Sequence, residues 1–332
     1  MRHTIVDDFS VIIRAHTEDR FNSLIAAIES VKAQTHMPSE IIVVIDHNSK
    51  LFNRVREHIP DIIVVESTRI DRKSGAGNTG VSIAKGSLIA FLDDDAIAAP
   101  DWLEILSTAF TDTRVLGVGG AVLPSWLSKK PSWFPEEFYW AVGCTYRGMP
   151  RTAARIRNLI LTSMALRREV FDTVGGFRTE RCEETELCIR AQQHWPQGFF
   201  LYQPEARVSH LVPSNRGTWK YFSWRCYTEG LSKAIVSRCI GVKDSLSSES
   251  IYILRTLPLG VLRNLTDALF HRDPAGFLRA GAIIAGLMMT IVGYLKGCIA
   301  RRALSPKDIW GDANTELQPP LHIHEDDTVQ AY

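Results

Sequence analysis

The sequence has no excess of charge of either sign and no cysteine pattern that would hold a metal. Lysine and arginine number 38 against 37 aspartate and glutamate residues, which leaves a formal net charge of +1. Global charge therefore favours neither nucleic acid nor an acidic partner, and any electrostatic function must be local. The cysteines form neither a CxxC pair nor a zinc spacing: Cys144, Cys182, Cys188, Cys226, Cys239 and Cys298. We expect reduced thiols, several of them filling the core.

The first residues do not have the pattern that we expect of a secretory signal. Acidic Asp7 and Asp8 precede the first apolar run, Val11 to Ile13, which is too short for the apolar region of a signal peptide. This pattern favours a cytoplasmic protein.

Short apolar runs alternate with helical patterns over the first hundred residues. The patterns predict strands over Phe9 to Ile13, Glu40 to Asp46, Ile62 to Glu66 and Ser87 to Leu92, and helices over Ser23 to Val31 and Asn78 to Ala84. Strands that alternate with helices predict a doubly wound α/β sheet, whose ligands bind beyond the carboxyl ends of the strands. Asp46 and the triplet Asp93, Asp94 and Asp95 fall at such ends.

Three consecutive carboxylates follow the last of these strands. Because like charges in a row repel one another, a cation would stabilise Asp93, Asp94 and Asp95 together, and oxygen ligands suit Mg²⁺ or Mn²⁺ better than zinc. Such an ion commonly binds substrate phosphates. The alternative is an acidic first turn of the following helix, which explains Asp101 and could include Asp95, but Asp93 and Asp94 lie too early for it.

The segments GAGNTGVSIAKGSLIAFLDDD, FSVIIRAHTED and EIIVVIDHNS together resemble the inverting family 2 glycosyltransferases of GT-A fold. The resemblance implies a mixed sheet flanked by helices, and a Mn²⁺ or Mg²⁺ ion that bridges the diphosphate of a nucleotide-sugar donor. It makes Asp95 a metal ligand, Asp93 a partner of the ribose or of the ion and its water, and Asp94 a supporting carboxylate.

The same resemblance implies three more donor contacts. Asp46 lies where the family's strand-end Asp contacts the nucleotide base, and Ala15 lies in the loop that lines the same pocket. Asn78 matches the Asn of the family's A-R-N-x-G stretch, although Gly77 stands in place of its Arg and removes a base or phosphate contact. The letters GAGNTG also spell GxGxxG, but Ser67 to Ser74 separates them from the nearest strand, so a dinucleotide site is not expected.

An acceptor-side block is found in LTSMALRREVFDTVGGF followed by ERCEETELCIRAQQHW. It resembles the strand and helix that precede the family's E-D-x-x-L-x-x-R motif, whose second acid is the catalytic base. The resemblance implies Glu184 as the base, with Glu183 as the second candidate. A carboxylate within hydrogen-bond reach of an attacking hydroxyl can take its proton. Taken alone, Glu183, Glu184 and Glu186 also fit an acidic helix N-terminus. The order of the strand segments, the Asp triplet and this acceptor-side block along the chain favours the catalytic interpretation.

His210 lies where many relatives in this family place a third metal ligand after a strand. It follows the β-type run ARVSH, and a neutral imidazole can complete the ligand shell of an ion. A structural histidine is the alternative. The next helix, TWKYFSWRCYTEGLSKA, mixes aromatic and basic residues, so packing, a phosphate-bearing acceptor or a membrane surface would each account for it.

The last hundred residues differ in character from the rest. One helical face is apolar and predicts an amphipathic helix: Leu254, Leu257, Val261, Leu265 and Ala268. The uncharged run Ala280 to Leu295 makes ~24 Å of helix, short of the ~20 residues that cross a membrane. Between Val236 and Trp310, ten Lys or Arg residues outnumber five Asp or Glu, which favours an anionic membrane surface. A helical hairpin packed on the main domain is the alternative.

Three regions follow from these patterns. We expect a catalytic domain over residues 1–235 that binds the nucleotide sugar and the acceptor, and a helical, membrane-associating region over residues 236–310. Residues 311–332 hold five acids and no Lys or Arg, which is typical of a disordered tail.

The predicted function is that of a metal-dependent inverting glycosyltransferase in cell-envelope or polysaccharide biosynthesis. It would move a single sugar from a nucleotide-diphosphate sugar to a hydroxyl of a glycan or lipid-linked acceptor, at the cytoplasmic face of the membrane. The sequence Gln192-Gln193-His194-Trp195 lacks the Arg of the Q-x-x-R-W motif of processive synthases, which favours single addition. A nucleotidyltransferase would need a glycine-rich loop after the first strand, and RAHTEDRF has no glycine. A non-enzymatic, membrane-peripheral metal-binding module is the other alternative.

Overall fold

The computed structural model describes residues 8–67, 69, 72–178, 183–240 and 249–299. The strands are β1 Phe9–Ala15, β2 Glu40–Asp46, β3 Ile63–Ser67, β4 Leu88–Asp93, β5 Ala96–Ala98, β6 Val115–Trp126, β7 Ala154–Ile156, β8 Ser163–Arg167 and β9 Phe199–Val212. The α-helices are α1 Phe21–Lys32, α2 Ser49–His58, α3 Arg72–Ile83, α4 Trp102–Thr108, α5 Arg168–Val174, α6 Glu183–His194, α7 Trp219–Ile240, α8 Leu257–Phe270 and α9 Ala275–Ile299. A helical turn at Glu249–Ile251 and a π-helical segment, Tyr252–Thr256, lead directly into α8.

The strands form one mixed sheet in the order β3-β2-β1-β4-β8-β6-β9-β5, with β7 paired to β9. The first four strands of this order are parallel, while β8 runs antiparallel to both β4 and β6. Because β1, β2 and β4 are parallel neighbours, their carboxyl ends meet at one edge of the sheet. The expected mixed α/β sheet flanked by helices is confirmed.

Two apolar layers cover the sheet because alternate residues of its buried strands point to opposite faces. Val11 and Ile13 of β1 belong to the core cluster that includes residues of α1, α2 and α4, whereas Ile12 belongs to the cluster that includes residues of α3, α5 and α6. Helices therefore pack on both faces, which leaves the carboxyl edge of β1, β2 and β4 as the place where polar side chains collect.

Helix α3 begins at Arg72, six residues earlier than the sequence pattern predicts, and contains the whole GAGNTG segment. The glycines there serve close packing: a Cβ at Gly80 would lie 2.7 Å from the Ile12 side chain, and one at Gly77 would lie 2.9 Å from that of Phe177. Since the segment is helical and not a turn between a strand and a helix, it is not a phosphate-binding loop, as expected.

A third apolar cluster joins the aromatic segment after β6 to the C-terminal helices. Phe134 and Phe138 are buried against Phe222 of α7 and Ile283 of α9. This aromatic segment therefore forms a core between the sheet and the C-terminal helices.

The C-terminal region is helical, as expected, but its last helix is longer than the uncharged run suggests. Helix α9 comprises 25 residues because it takes in Arg279 and Lys296, which the sequence reading placed at its limits. It is therefore long and apolar enough to cross a membrane, which corrects the expectation that this run is too short. The predicted boundary at residue 235 lies inside α7, and the division into three regions stays a prediction. Residues 311–332 lie outside the described residues.

Candidate functional site

The carboxylate triplet lies in the turn that joins β4 to β5. Asp93 is the last residue of β4, and Asp94 and Asp95 form the turn before Ala96 begins β5. Asp94 and Asp95 are buried, whereas Asp93 is partly exposed. Strand β5 pairs with β9 so that Ala96 lies opposite His210. This pairing brings a histidine from a distant part of the chain beside the acidic turn.

Asp93, Asp95 and His210 form a group that could hold a cation. One ligand atom of each residue lies within 4.8 Å of those of the others, and His210 Nε2 is 3.1 Å from Asp95 Oδ1. The buried Asp94 Oδ2 receives no hydrogen bond from the described residues, so one oxygen of the acidic turn lacks a partner. Two carboxylates and an imidazole fit Mn²⁺ or Mg²⁺, with Mn²⁺ tolerating the nitrogen ligand better.

Two arginines compensate the charge of the buried carboxylates. Arg20 Nη1 lies 2.9 Å from Asp94 Oδ1 and 3.0 Å from Asp95 Oδ2, and Arg216 Nη2 lies 3.7 Å from the latter oxygen. Burial opposes ionisation of Asp95, but the His210 hydrogen bond and the arginine charges outweigh it and lower the Asp95 pKa. Burial dominates at Asp94 and raises its pKa to about 6, even though Arg20 opposes the shift.

The second ring nitrogen of His210 contacts a thiol. Cys144 Sγ lies 3.6 Å from His210 Nδ1 and 3.7 Å from the backbone carbonyl of Val142. Burial raises the pKa of the Cys144 thiol to about 12, so this contact is one of a neutral thiol. A partner at Nδ1 orients the imidazole, and this role was missed when the cysteines were assigned to the core.

The candidate base lies in the first turn of α6. Glu183 is buried, and its two carboxylate oxygens accept hydrogen bonds from Arg14 Nη1 at 2.7 Å and Ser74 Oγ at 2.8 Å. No side chain of the described residues makes an ion pair or hydrogen bond with Glu184, which is partly buried. Burial and the adjacent Glu183 charge raise the pKa of Glu184 to about 7. Glu183 is thus engaged in a structural pair, whereas the carboxyl group of Glu184 has no such partner among the described residues.

Arg14 joins the acidic turn to the acceptor-side helix. It lies opposite Asp93 in the register of β1 and β4, with Nη2 3.9 Å from Asp93 Oδ1 and Nη1 hydrogen-bonded to Glu183. Arg14 was not among the residues predicted from the sequence, although a lone cation inside the apolar run FSVIIRA was a visible signal. Arg20 and Arg216 gave no such signal, because their positions follow only from the fold.

The three other predicted donor-binding residues lie at the edge formed by β1, β2 and α3. Ala15 ends β1, buried and opposite Ile45, and Asp46 ends β2 with Oδ1 2.7 Å from His47 Nδ1. The amide group of Asn78 pairs with the backbone of Phe177, because Nδ2 donates to the Phe177 carbonyl and Oδ1 accepts from the Phe177 N–H. Its role in donor binding stays a prediction. The structure thus places Asn78 as a buried support for the loop after α5.

Comparison with known proteins identifies the family. The model of glycosyl transferase family 2 matches residues 10–175, half of the chain. The glucosyl-dolichyl phosphate glucuronosyltransferase of Haloferax volcanii is 33% identical over 240 residues, covering 68% of this chain and 76% of that protein. The succinoglycan biosynthesis protein ExoM of Rhizobium meliloti is 27% identical over 202 residues, covering 57% and 62%. A crystal structure of GalNAc-T7 with UDP, GalNAc and Mn²⁺ aligns with a TM-score of 0.47 and 19% identity, over 62% of this chain and 43% of that one. The chain belongs to glycosyl transferase family 2.

Proposed function

We propose that the protein transfers one sugar from a nucleotide-diphosphate sugar to a hydroxyl acceptor, with inversion and with Glu184 as the general base. The observation that carries the proposal is the Arg14 bridge. Arg14 links Asp93, one member of the group that could hold a cation, to Glu183, the neighbour of Glu184. A leaving-group site and a proton acceptor at one sheet edge are the two parts that a direct displacement needs.

The chain's own residues divide this work. Glu184, whose pKa of about 7 balances basicity against ionisation, takes the acceptor proton as the acceptor oxygen bonds to the anomeric carbon. The bond from that carbon to the diphosphate breaks in the same step, and the nucleoside diphosphate leaves. Glu183 keeps the first turn of α6 in place through Arg14 and Ser74.

Asp95, Asp93 and His210 would hold Mn²⁺ or Mg²⁺ at this site. When bound, such an ion supplies positive charge that offsets the charge on the departing diphosphate. We assign Ala15 and Asp46 to the nucleotide base, Asp94 to support of the acidic turn through Arg20, and Asn78 to positioning of the loop at Phe177.

We infer a hydroxyl of a glycan or lipid-linked sugar as the acceptor, in cell-envelope or polysaccharide biosynthesis. The name of the Haloferax volcanii relative describes transfer to glucosyl-dolichyl phosphate, and the ExoM name refers to succinoglycan biosynthesis. The apolar helix α9 supports a peripheral position on the membrane, which we place on its cytoplasmic face.

The test is a panel of nucleotide sugars assayed for binding and hydrolysis with Mn²⁺ or Mg²⁺. We expect at least one donor to bind and to be hydrolysed in a metal-dependent manner, and Asp95→Asn to abolish both. Asp112→Asn is the matched control, because Asp112 pairs with Arg114 at an exposed site away from the acidic turn. Failure of every donor to bind, or an Asp95→Asn protein that hydrolyses its donor normally, contradicts the proposal.

A further inference from the structure

Large apolar residues and small residues are distributed around helix α9 as they are in a lipid-facing helix. Eight of its large apolar residues point away from the protein: Phe277, Leu278, Ile284, Met288, Ile291, Val292, Leu295 and Ile299 are 40–79% exposed. Four of its five glycines, Gly276, Gly286, Gly293 and Gly297, are buried against the protein instead. A Cβ at Gly293 would lie 2.1 Å from the Tyr227 carbonyl oxygen of α7, and one at Gly297 would lie 2.6 Å from the Ala234 side chain. Small residues at the helix contact and large ones outside are typical of helices packed within lipid.

Several polar groups of α8 and α9 are paired with one another or with the rest of the protein. Arg263 of α8 forms an ion pair with Glu137, which is buried in the aromatic segment. Asn264, also buried, accepts a hydrogen bond from Arg279 Nε of α9, whose Nη2 lies 2.7 Å from Asp273 Oδ2. A water-facing hairpin would show the reverse arrangement, with charges outside and leucines inside.

The outer face of α8 continues that of α9. Leu259, Leu262, Leu269 and Phe270 are 54–77% exposed, and Leu254 in the π-helical segment is 78% exposed. The two helices contact each other closely, since a Cβ at Gly276 would lie 2.2 Å from the Asn264 carbonyl oxygen. The hairpin therefore presents a series of exposed large apolar side chains along both helices, and a contiguous exposed apolar patch typically marks an interaction site with a protein or a membrane.

The residue types on this surface indicate what binds to it. Protein interfaces carry about one hydrogen bond per 100–200 Å² and a polar rim, whereas the outward residues of α9 that the structure describes include one charged side chain, Lys296. Arg255 and Arg272 are exposed at the two ends of α8, where they complement lipid phosphates at the margin of an apolar face. These features fit a lipid bilayer better than a second protein surface.

The packing of α9 also decides how it meets the bilayer. It lies along α7, whose other side carries the partly exposed Arg225, Glu229 and Lys233 joined by ion pairs. A helix that crossed the membrane in this arrangement would draw those charges into the hydrocarbon region, which is costly. Immersion of only the outer face avoids that cost.

We infer that the α8–α9 hairpin lies parallel to the membrane and inserts its outer apolar face among the acyl chains of one leaflet. The inference deepens the proposed function, because it names the membrane as the surface from which a lipid-linked acceptor reaches Glu184. It depends on the apolar face alone, so lipid binding and donor chemistry can fail separately.

The test is partition of the full-length protein onto phosphatidylcholine vesicles at low salt and at 1 M salt. We expect binding at both, because salt that shortens the Debye length to ~3 Å screens charges but leaves apolar burial intact. Met288→Glu is expected to weaken partition by at least about tenfold, since it places a charge among acyl chains. Met37→Glu is the matched control, because Met37 is 66% exposed but lies before β2, outside the hairpin.

Each contrary result has a distinct meaning. The inference is overturned if the protein does not bind phosphatidylcholine vesicles, or if it binds only anionic vesicles and 1 M salt abolishes that binding. It is also overturned if Met288→Glu and the wild type partition equally. A dimer in solution that Met288→Glu dissociates, without vesicle binding, assigns the face to a second copy. Failure of bound protein to exchange onto added vesicles indicates a spanning helix. Hydrolysis of the nucleotide sugar in solution by Met288→Glu reports separately on the transferase site.

Discussion

Arg14 Nη1 donates a hydrogen bond to Glu183 Oε1 over 2.7 Å, and it joins residues 169 positions apart in the chain. The pair connects the end of β1 with the first turn of α6, beside Asp93. Glu183 thereby becomes a fixed negative charge next to Glu184. This arrangement supports the different roles that we propose for the two adjacent glutamates, Glu183 as a structural partner and Glu184 as a proton acceptor.

The activity should rise with pH through about 7, because only ionised Glu184 can accept a proton. Glu183→Gln removes a charge that raises the Glu184 pKa, so the acid limb of the rate profile should move to lower pH. Arg14→Gln removes a charge that lowers this pKa, so the limb should move to higher pH. Rates of donor hydrolysis measured from pH 5 to 9 check both shifts, together with the fold of each variant by circular dichroism.

Glu186→Gln is the control for this experiment. It breaks a buried ion pair with Arg190 on the same helix, and Glu186 is not among the charges that shift the Glu184 pKa most. The acid limb should stay in place although stability falls. Shifts of Glu183→Gln and Arg14→Gln in the same direction would contradict the roles assigned to the pair.

Cys144→Ala should weaken cation binding without removing it. The thiol is the partner of His210 Nδ1, and loss of a group that orients a metal-binding histidine typically costs ~10–100-fold in affinity. Titration of Mn²⁺ into the protein by calorimetry measures the change. Cys188→Ala, which empties a buried thiol position in the core on the α3 side, controls for destabilisation alone. Equal Mn²⁺ affinity in the two variants would show that the Cys144 contact does not support the site.

Asn78→Ala should lower the free energy of unfolding, and it should have little direct effect on donor binding. The change leaves the buried N–H and C=O of Phe177 without their hydrogen-bond partner. Each unsatisfied group lowers the free energy of unfolding by ~1–3 kcal/mol. Urea unfolding measures the loss in free energy. Asn53→Ala at an exposed position of α2 should change stability little. A large fall in donor affinity with unchanged stability would instead make Asn78 a donor ligand.

The first four strands and the acidic turn could be predicted from sequence because each is marked by a local pattern of residues. The strand at Glu40–Asp46 has its predicted bounds, since a β-branched apolar run needs no distant contact to be recognised. The position of His210 beside Asp95 could be predicted only from the family resemblance, because the two residues are brought together by the pairing of β5 with β9. The sequence carried no signal that marks Arg20 or Cys144 as site residues. The length of α9 was underestimated because the charged residues Arg279 and Lys296 were taken as its limits. Both lie within the helix, where Arg279 pairs with Asp273 and Lys296 is exposed.

The most direct measurement is the rate of donor turnover by Glu184→Gln, with the nucleotide sugar that the panel identifies, alongside its binding affinity in Mn²⁺. Loss of a general base costs ~10²–10⁴-fold in rate, and the amide keeps the size of the side chain. We expect a loss of that order with unchanged donor binding. A Glu184→Gln protein that turns over its donor at the wild-type rate contradicts the assignment of Glu184 as the base.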